Sequence, residues 1–542
     1  MEQVRIYDTT LRDGMQGDTI NFTVDEKVRI ARQLDDLGVH YIEGGWPGSN
    51  PRDVQFFEKA AKIDFENARL TAFGSTRRAG LAVEEDDNIR LLIESGAPAV
   101  ALVGKTWDLH ITEVMSNTLE NNLAMIRDSV AYIKARGREV FFDAEHFFDG
   151  CMYNRDYTFK ALMTAAEAGA DAVILCDTNG GALPHDVEAI TAEVCAELAA
   201  RFPGPDGGSA VAVGIHTHND SNLAVANSIA AVRAGARIVQ GTINGYGERC
   251  GNADLTSIIP ILAVKMKYDC ISPDNLKKLR KVSRFVSETA NMTPVNSRPF
   301  VGKSAFSHKG GLHVSAIMKN PRAYEHMDPE LVGNKRRVLI SDLSGRSNVT
   351  YKARELGINT DTEHFDVDRI LSEVKMLEME GFQFDAADGS FKIVMEKISG
   401  LYTPLFDLLS FRVTVEKKKD RPCTAHATIR LGVGEMETTT AAEGDGPVSA
   451  LDNALRMAIA EFYPDSLGLD AMQLVDFKVR VLDGRDGTSA KVRVLIDSRD
   501  EEEVWGTIGV SEDIIEASWE ALADSCQYKL SKELNKKKKR QD

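Results

Sequence analysis

The stretch VAVGIHTHND, residues 211–220, decides the reading of this chain. Val211, Val213 and Ile215 read as a buried strand that ends on His216 and His218. Residues two apart in an extended segment point to the same side, so both imidazoles face one point in space. Two neutral imidazoles on one point most often serve a metal. His-x-His also occurs by chance on exposed strands, so the pair needs support from elsewhere. Asp13 in IYDTTLRDG, after the first strand of the chain, and Asn252 in NGYGERCGNADL, after the eighth, provide that support.

Working outward, residues 1–270 alternate short β-branched runs with amphipathic helical stretches. The spacing predicts strands at 4–8, 39–43, 69–73, 98–103, 139–143, 171–176, 211–216 and 237–240. Helical patterns lie between them, as at 25–37 and 156–168. Gly38, Gly96, Gly137, Gly169 and Gly235 each stand where a helix should stop before the next strand. Eight strand–helix units in this length are the arithmetic of a (β/α)8 TIM barrel. A doubly wound open sheet fits less well, because no Gly-x-Gly-x-x-Gly opens the first helix.

The polar residues fall where that fold places chemistry, at the C-terminal ends of the strands. Arg12 and Asp13 follow strand one, and Glu43 ends strand two. Glu145 follows strand five, Asp177 and Thr178 follow strand six, and the two histidines end strand seven. Asn244, Glu248, Arg249 and Asn252 follow strand eight. Glu248 and Arg249 also fit a simple salt-bridged loop.

The chain has 542 residues, 43% hydrophobic and 27% charged, as expected for a soluble globular protein of two or three domains. The formal charge of −17 argues against nucleic acid or an anionic membrane as partner. KKKKR at 536–540 reads as a solvated, frayed end. Seven cysteines without paired spacing suggest free thiols in a reducing compartment. With a strand, VRIYDT, directly at the N-terminus and no long apolar run, the expected location is the cytoplasm.

Residues 271–404 read as helical linker subdomains, with a second polar cluster at His308, His313 and Tyr324. From about 405 the texture changes to an α+β domain. FRVTVEKK, TAHATIRL, LVDFKVRVLDG and AKVRVLID read as strands, and 447–462 and 511–524 as helices. This domain has no dense His/Asp/Glu cluster and reads as a regulatory or assembly module. Its Gly-rich segments EGDGP (443–447) and WGTIGVS (505–511) read as turns exposing backbone groups.

In this order, IYDTTLRDGMQG, AEHFFDG, CDTNGG, IHTHND, NGYGERCGNADL and GLHVSAIMKN resemble the acyl-CoA-condensing branch of the DRE-TIM metallolyases. That branch holds the 2-isopropylmalate, homocitrate and citramalate synthases. EGDGPVSALDNAL and WGTIGVSEDIIEASWEAL resemble the allosteric domain of isopropylmalate and citramalate synthases. The resemblance therefore covers nearly the whole chain. EGGWPGSNPRD and NGYGERCGN look most like the long bacterial-type citramalate synthases.

The resemblance implies a Claisen condensation of acetyl-CoA with a 2-oxo acid, followed by thioester hydrolysis. Pyruvate is the expected acceptor, and 2-oxoisovalerate, as in an isopropylmalate synthase, is the alternative. It further implies a divalent cation (Mg, Mn, Zn or Co) on Asp13, His216 and His218, with Asn252 as a fourth, weaker ligand. Arg12 resembles the arginine that stabilises oxyanion charge, and Thr178 the residue that binds the 2-oxo acid carboxylate. Glu145 and His313 resemble the pair that removes the acetyl-CoA methyl proton. Tyr324 resembles a tyrosine that completes the neighbouring subunit's site, which implies a homodimer or higher homo-oligomer. Feedback by isoleucine on the C-terminal domain is the corresponding regulatory expectation. Two residues depart from the family pattern: His146 stands where an acid often follows the glutamate, and Ser315 where an aspartate often follows the histidine. A lyase on the same barrel is the rival enzyme class, and an inactive amino-acid sensor is the non-catalytic rival.

Overall fold

The structure, a computed structural model, describes residues 2–204, 208–362, 364–463, 467–482 and 490–541, of which 538–541 as backbone only. The chain divides into two compact units, one of Met1–Phe306 with Met327–Lys335, the other of Ser307–His326 with Arg336–Asp542.

The first unit is built on eight strands: β1 (Arg5–Asp8), β2 (Tyr41–Gly45), β3 (Arg69–Ser75), β4 (Ala99–Lys105), β5 (Glu139–Glu145), β6 (Ala172–Asp177), β7 (Ala212–Thr217) and β8 (Ile238–Gly241). They close into a barrel in sequence order, with β8 returning to pair in parallel with β1. All eight expected strands are present. Alternation sorts the side chains into two layers. Ile6, Ile42, Val100, Val140, Val173 and Val239 face outward and are fully buried under the helices. Burying each such side chain stabilises the fold by about 1.5–3 kcal/mol. Tyr7, Tyr41 and Phe141 fill the interior, their rings meeting edge-on at 5.4 Å (Tyr7–Phe141) and 4.9 Å (Tyr41–Phe141). The barrel is therefore packed, and only its C-terminal rim has room for chemistry.

Local signals set the helix ends. Thr23 and Glu26 form a reciprocal capping box at the start of the helix Val24–Leu37. Gly38 closes it at φ 90°, a left-handed conformation that glycine adopts without steric cost. The first unit runs past residue 270: the helix Leu279–Thr289 buries Leu279, Val282 and Val286 in the same core as the barrel's outer layer.

The second unit begins with two short parallel strands, β9 (Ser307–His308) and β10 (Arg337–Val338), and the helix Gly311–Lys319. The helices Arg346–Glu355, Val367–Glu380 and Asp388–Ile398 follow. Then one motif occurs twice, three antiparallel strands and a helix. The first copy is β11 (Asp407–Glu416), β12 (Thr424–Val433) and β13 (Met436–Gly444) with the helix Pro447–Phe462. The second is β14 (Gln473–Val481), β15 (Val492–Arg499) and β16 (Val504–Ser511) with the helix Ile514–Gln541. Ala425, Ala427, Ile429 and Leu431 alternate on β12 and share a core with Leu451, Leu455 and Ile459 of the first helix.

Two expectations change here, and one strand is added. WGTIGVS is not an exposed turn but the interior of β16, paired along its length with β15. Its glycines serve close packing: a Cβ on Gly506 would stand 1.9 Å from the Ala386 carbonyl oxygen, and one on Gly509 2.0 Å from that of Ala517. β13, METTTAAEG, escaped notice because its alternation is carried by threonine and alanine instead of large apolar residues. The last helix runs on through the basic tail to Gln541, past 524. Lys529, Lys532 and Lys536 recur at helical spacing and pair with Asp500 (2.8 Å from both Lys529 and Lys532) and Glu533.

Candidate active site

Asp13 follows β1, and His216 and His218 come from the end of β7, so closure of the barrel brings them together. His216 Nε2 lies 3.2 Å from Asp13 Oδ2, and His218 Nε2 lies 4.0 Å from the same oxygen. The two Nε2 atoms are 3.2 Å apart. All three side chains are buried. The parity argument from His-x-His therefore holds: the imidazoles converge.

The surroundings fix how they present themselves. His216 Nδ1 is 2.7 Å from Gln240 Oε1, and Gln240 donates its own amide hydrogen to Asp143 Oδ1 at 3.2 Å. The amide carbonyl thus faces Nδ1–H, and Nε2 is the lone-pair atom that faces Asp13. Asn252 reaches the same place by its backbone, which bridges to His218. Its amide donates to the Tyr246 carbonyl at 3.2 Å, while Oδ1 is buried without a partner. An orphaned amide oxygen, a carboxylate and two nitrogen lone pairs form a donor set that suits a divalent cation.

Charge follows the same geometry. Burial pushes the Asp13 carboxyl up, but Arg12 and the two histidines outweigh it and hold it well below the usual carboxylate range. Burial pushes His216 down, yet the bond and charge of Asp13 leave it raised. His218 falls to about 4, through burial and then the charge on His216. The site holds one carboxylate and one readily neutral imidazole, with His216 competing for a proton that a cation would replace.

Arg12 stands beside this group. Its NH1 is 3.4 Å from Asp13 Oδ2, its Nε donates to Glu43 Oε1, and its guanidinium lies 3.8 Å over the Phe73 ring. Glu43 is fully buried and also accepts from the Tyr7 hydroxyl at 2.6 Å. The planar cation is thus fixed in direction, with further N–H donors available to the cavity that it lines.

That cavity, 440 Å³ in volume, is lined by Arg12, Asp13, Glu145, Thr178, His216 and His218 among others. It brings together every barrel residue expected to act except Asn252, whose backbone pairs with that of His218. Glu145, at the end of β5, is ion-paired to Lys105 at the end of the neighbouring β4. The Thr178 hydroxyl accepts from the His146 backbone N–H at 2.8 Å, which leaves its own hydrogen to donate. Arg249 holds Asp220 with two bonds, at 2.7 and 3.0 Å, and donates to the Thr178 carbonyl at 2.9 Å. It is a loop clamp, and its contact with Glu248 is looser at 3.5 Å. Asn244 is buried on Ser283 and Ser287 and supports the loop after β8.

Sequence reading passed over Gln240, Asp143 and Lys105. Asp143 was legible, because it lies two residues before Glu145 and so shares its face of β5. Burial, then the charge of Glu43, raises it to about 7. Gln240 is a polar residue inside the apolar run IVQG, and Lys105 is the last residue of its strand, so both carried the same rim signal.

His313 and Tyr324 belong to the second unit, where their rings stack at 4.1 Å and 25°. Nearby His308 is 3.2 Å from Glu325, which also accepts from Arg336 at 2.6 Å. That engagement makes His308 the less available histidine of the pair.

The family described as HMGL-like matches residues 3–286, the one described as homocitrate synthase post-HMGL domain-like matches 300–381, and the LeuA allosteric (dimerisation) domain matches 385–530. An (R)-citramalate synthase of Aquifex aeolicus is 52% identical over 98% of both chains. One of Geobacter sulfurreducens is 51% identical, again over 98% of both. A probable 2-isopropylmalate synthase of Methanopyrus kandleri is 33% identical, over 96% of this chain and 97% of its own.

Proposed function

The chain belongs to the HMGL-like family, in its (R)-citramalate synthase branch, and from that premise we propose that it condenses acetyl-CoA with pyruvate and hydrolyses the resulting thioester to (R)-citramalate, as an entry to isoleucine synthesis. The observation that carries the chemistry is the convergence of Asp13, His216 and His218 beside Arg12 on one cavity.

Asp13, His216 and His218 hold the divalent cation, with Asn252 Oδ1 as the further donor. When bound, the cation supplies Lewis acidity to the ketone of the 2-oxo acid. Thr178 donates its hydroxyl hydrogen to the acid's carboxylate. The Arg12 guanidinium, fixed by Glu43 and Phe73, faces the oxygen on which negative charge develops, where a preorganised cation needs no reorganisation during reaction. Glu145 accepts the methyl proton of acetyl-CoA, and Lys105 fixes the carboxylate in direction. The resemblance assigns His313 a share in that proton transfer and Tyr324 a place in the neighbouring subunit's site. The second unit serves dimerisation and regulation.

The test is thiol release. Acetyl-CoA and pyruvate together, with magnesium or manganese, should release CoA with one citramalate formed per thiol, and neither substrate alone should do so. Cleavage of an acyl-CoA with no net condensation would return the protein to the lyases.

A further inference from the structure

A second set of metal-ligand atoms stands on the barrel rim. One donor atom each from His110, Glu145 and His146 lies within 4.8 Å of the others. Glu145 ends β5, His146 caps the helix Phe147–Tyr153 that follows, and His110 comes from the short helical segment His110–Val114 after β4. The two imidazole rings are 4.4 Å apart. His146 is one of the two residues that depart from the family pattern, and the reaction outlined above makes no use of its side chain.

The supporting contacts are those of a built site. His146 Nδ1 lies 2.7 Å from Asp149 Oδ2, and Asn179 Nδ2 holds Asp149 at 3.0 and 3.1 Å. A carboxylate on Nδ1–H orients the ring and leaves the Nε2 lone pair free, as in carboxylate–histidine–metal arrangements. The second imidazole is that of His110. Its Nδ1 is buried without a partner. Lys105 engages only Oε2 of Glu145, so Oε1 remains for a cation. The carboxylates Asp500, Glu502 and Glu533 also cluster, but they bring no imidazole and pair with Lys529, Lys532 and Lys536.

We propose that His110, Glu145 and His146 form a second divalent-cation site, selective for zinc over magnesium. Two imidazoles and one carboxylate with an open fourth position suit zinc, whereas magnesium favours oxygen donors and gives up its waters reluctantly. Zinc held there occupies Glu145 and inhibits the enzyme whichever divalent cation fills Asp13, His216 and His218, a site whose two imidazoles and carboxylate accept zinc as well. The inhibition rests on Glu145 being the proton acceptor; the binding does not.

The experiment uses the full-length protein, dialysed against low-micromolar zinc chloride and analysed for bound metal. Two zinc ions per chain are expected in the wild type. One should remain in His110→Phe, which keeps a ring where His110 stacks on Trp107 at 5.4 Å, one in His146→Gln, and one in His218→Ala. A single zinc in the wild type, or two in both rim variants, overturns the proposal. With magnesium in excess, micromolar zinc should lower wild-type turnover at least tenfold more than it lowers that of His110→Phe, in which only the metal on Asp13, His216 and His218 can exchange. If the rim zinc binds through His110 and turnover does not fall, the binding site stands and Glu145 is not the proton acceptor.

Discussion

Gln240 determines which nitrogen of His216 faces Asp13. Its amide is anchored on Asp143 at 3.2 Å, so its carbonyl oxygen meets His216 Nδ1 at 2.7 Å and leaves Nε2 toward the carboxylate. Gln240→Leu should therefore weaken metal binding by ~10–100-fold, the usual cost of losing such an orienting partner. Competition with a chelator measures this directly. The wild-type protein should lose all turnover when metal-free and regain it with magnesium or manganese.

Metal binding should also depend on pH in one direction. His216 is raised above its ordinary value because Asp13 more than offsets burial, while His218 stays neutral down to about 4. A proton on His216 occupies the lone pair that a cation needs. Metal affinity is then full above the His216 pKa and falls as pH drops through it, by about tenfold per unit for one displaced proton. A two-proton slope in this range, read from binding titrations, would show both imidazoles protonated and contradict the charge pattern.

Arg12→Lys should lower kcat by roughly 10²–10³-fold, the scale seen when one donor to a developing oxyanion is removed. A lysine keeps the charge but loses the planar fork that bonds Glu43 and stacks on Phe73. Pyruvate KM should change much less than kcat. A change in KM alone would make Arg12 a substrate-binding residue only.

The second unit carries a prediction about control. Isoleucine at millimolar concentration should slow the full-length enzyme by a factor within about 5–150, the range that coupling free energies of about 1–3 kcal/mol produce. It should also raise the melting temperature, and sedimentation should show a dimer or larger. No change in rate or melting temperature would leave the unit an assembly module.

The barrel was legible because its period recurs eight times as apolar run, polar strand end and helix, with a glycine stop at five of the helix ends. Asp13, His216 and His218 were legible for the same reason, since strand parity converts spacing into direction. Gln240 and Lys105 were not singled out, because one polar residue at a strand end does not reveal its partner until closure supplies Asp143 or Glu145. β16 was misread because Gly506 and Gly509 look like turn residues, when they are glycines so that the Ala386 and Ala517 carbonyls can approach. β13 shows the complementary failure: a strand whose pairing comes from β12 needs little hydrophobic signal of its own.

The acceptor itself provides the most direct test. The measurement is kcat/KM for pyruvate against 2-oxoisovalerate, with acetyl-CoA saturating and magnesium or manganese present. The account predicts that pyruvate is preferred by more than ~10-fold, since each methylene a pocket must accommodate or reject is worth ~10–200-fold. A higher value for 2-oxoisovalerate would contradict it and make the enzyme an isopropylmalate synthase.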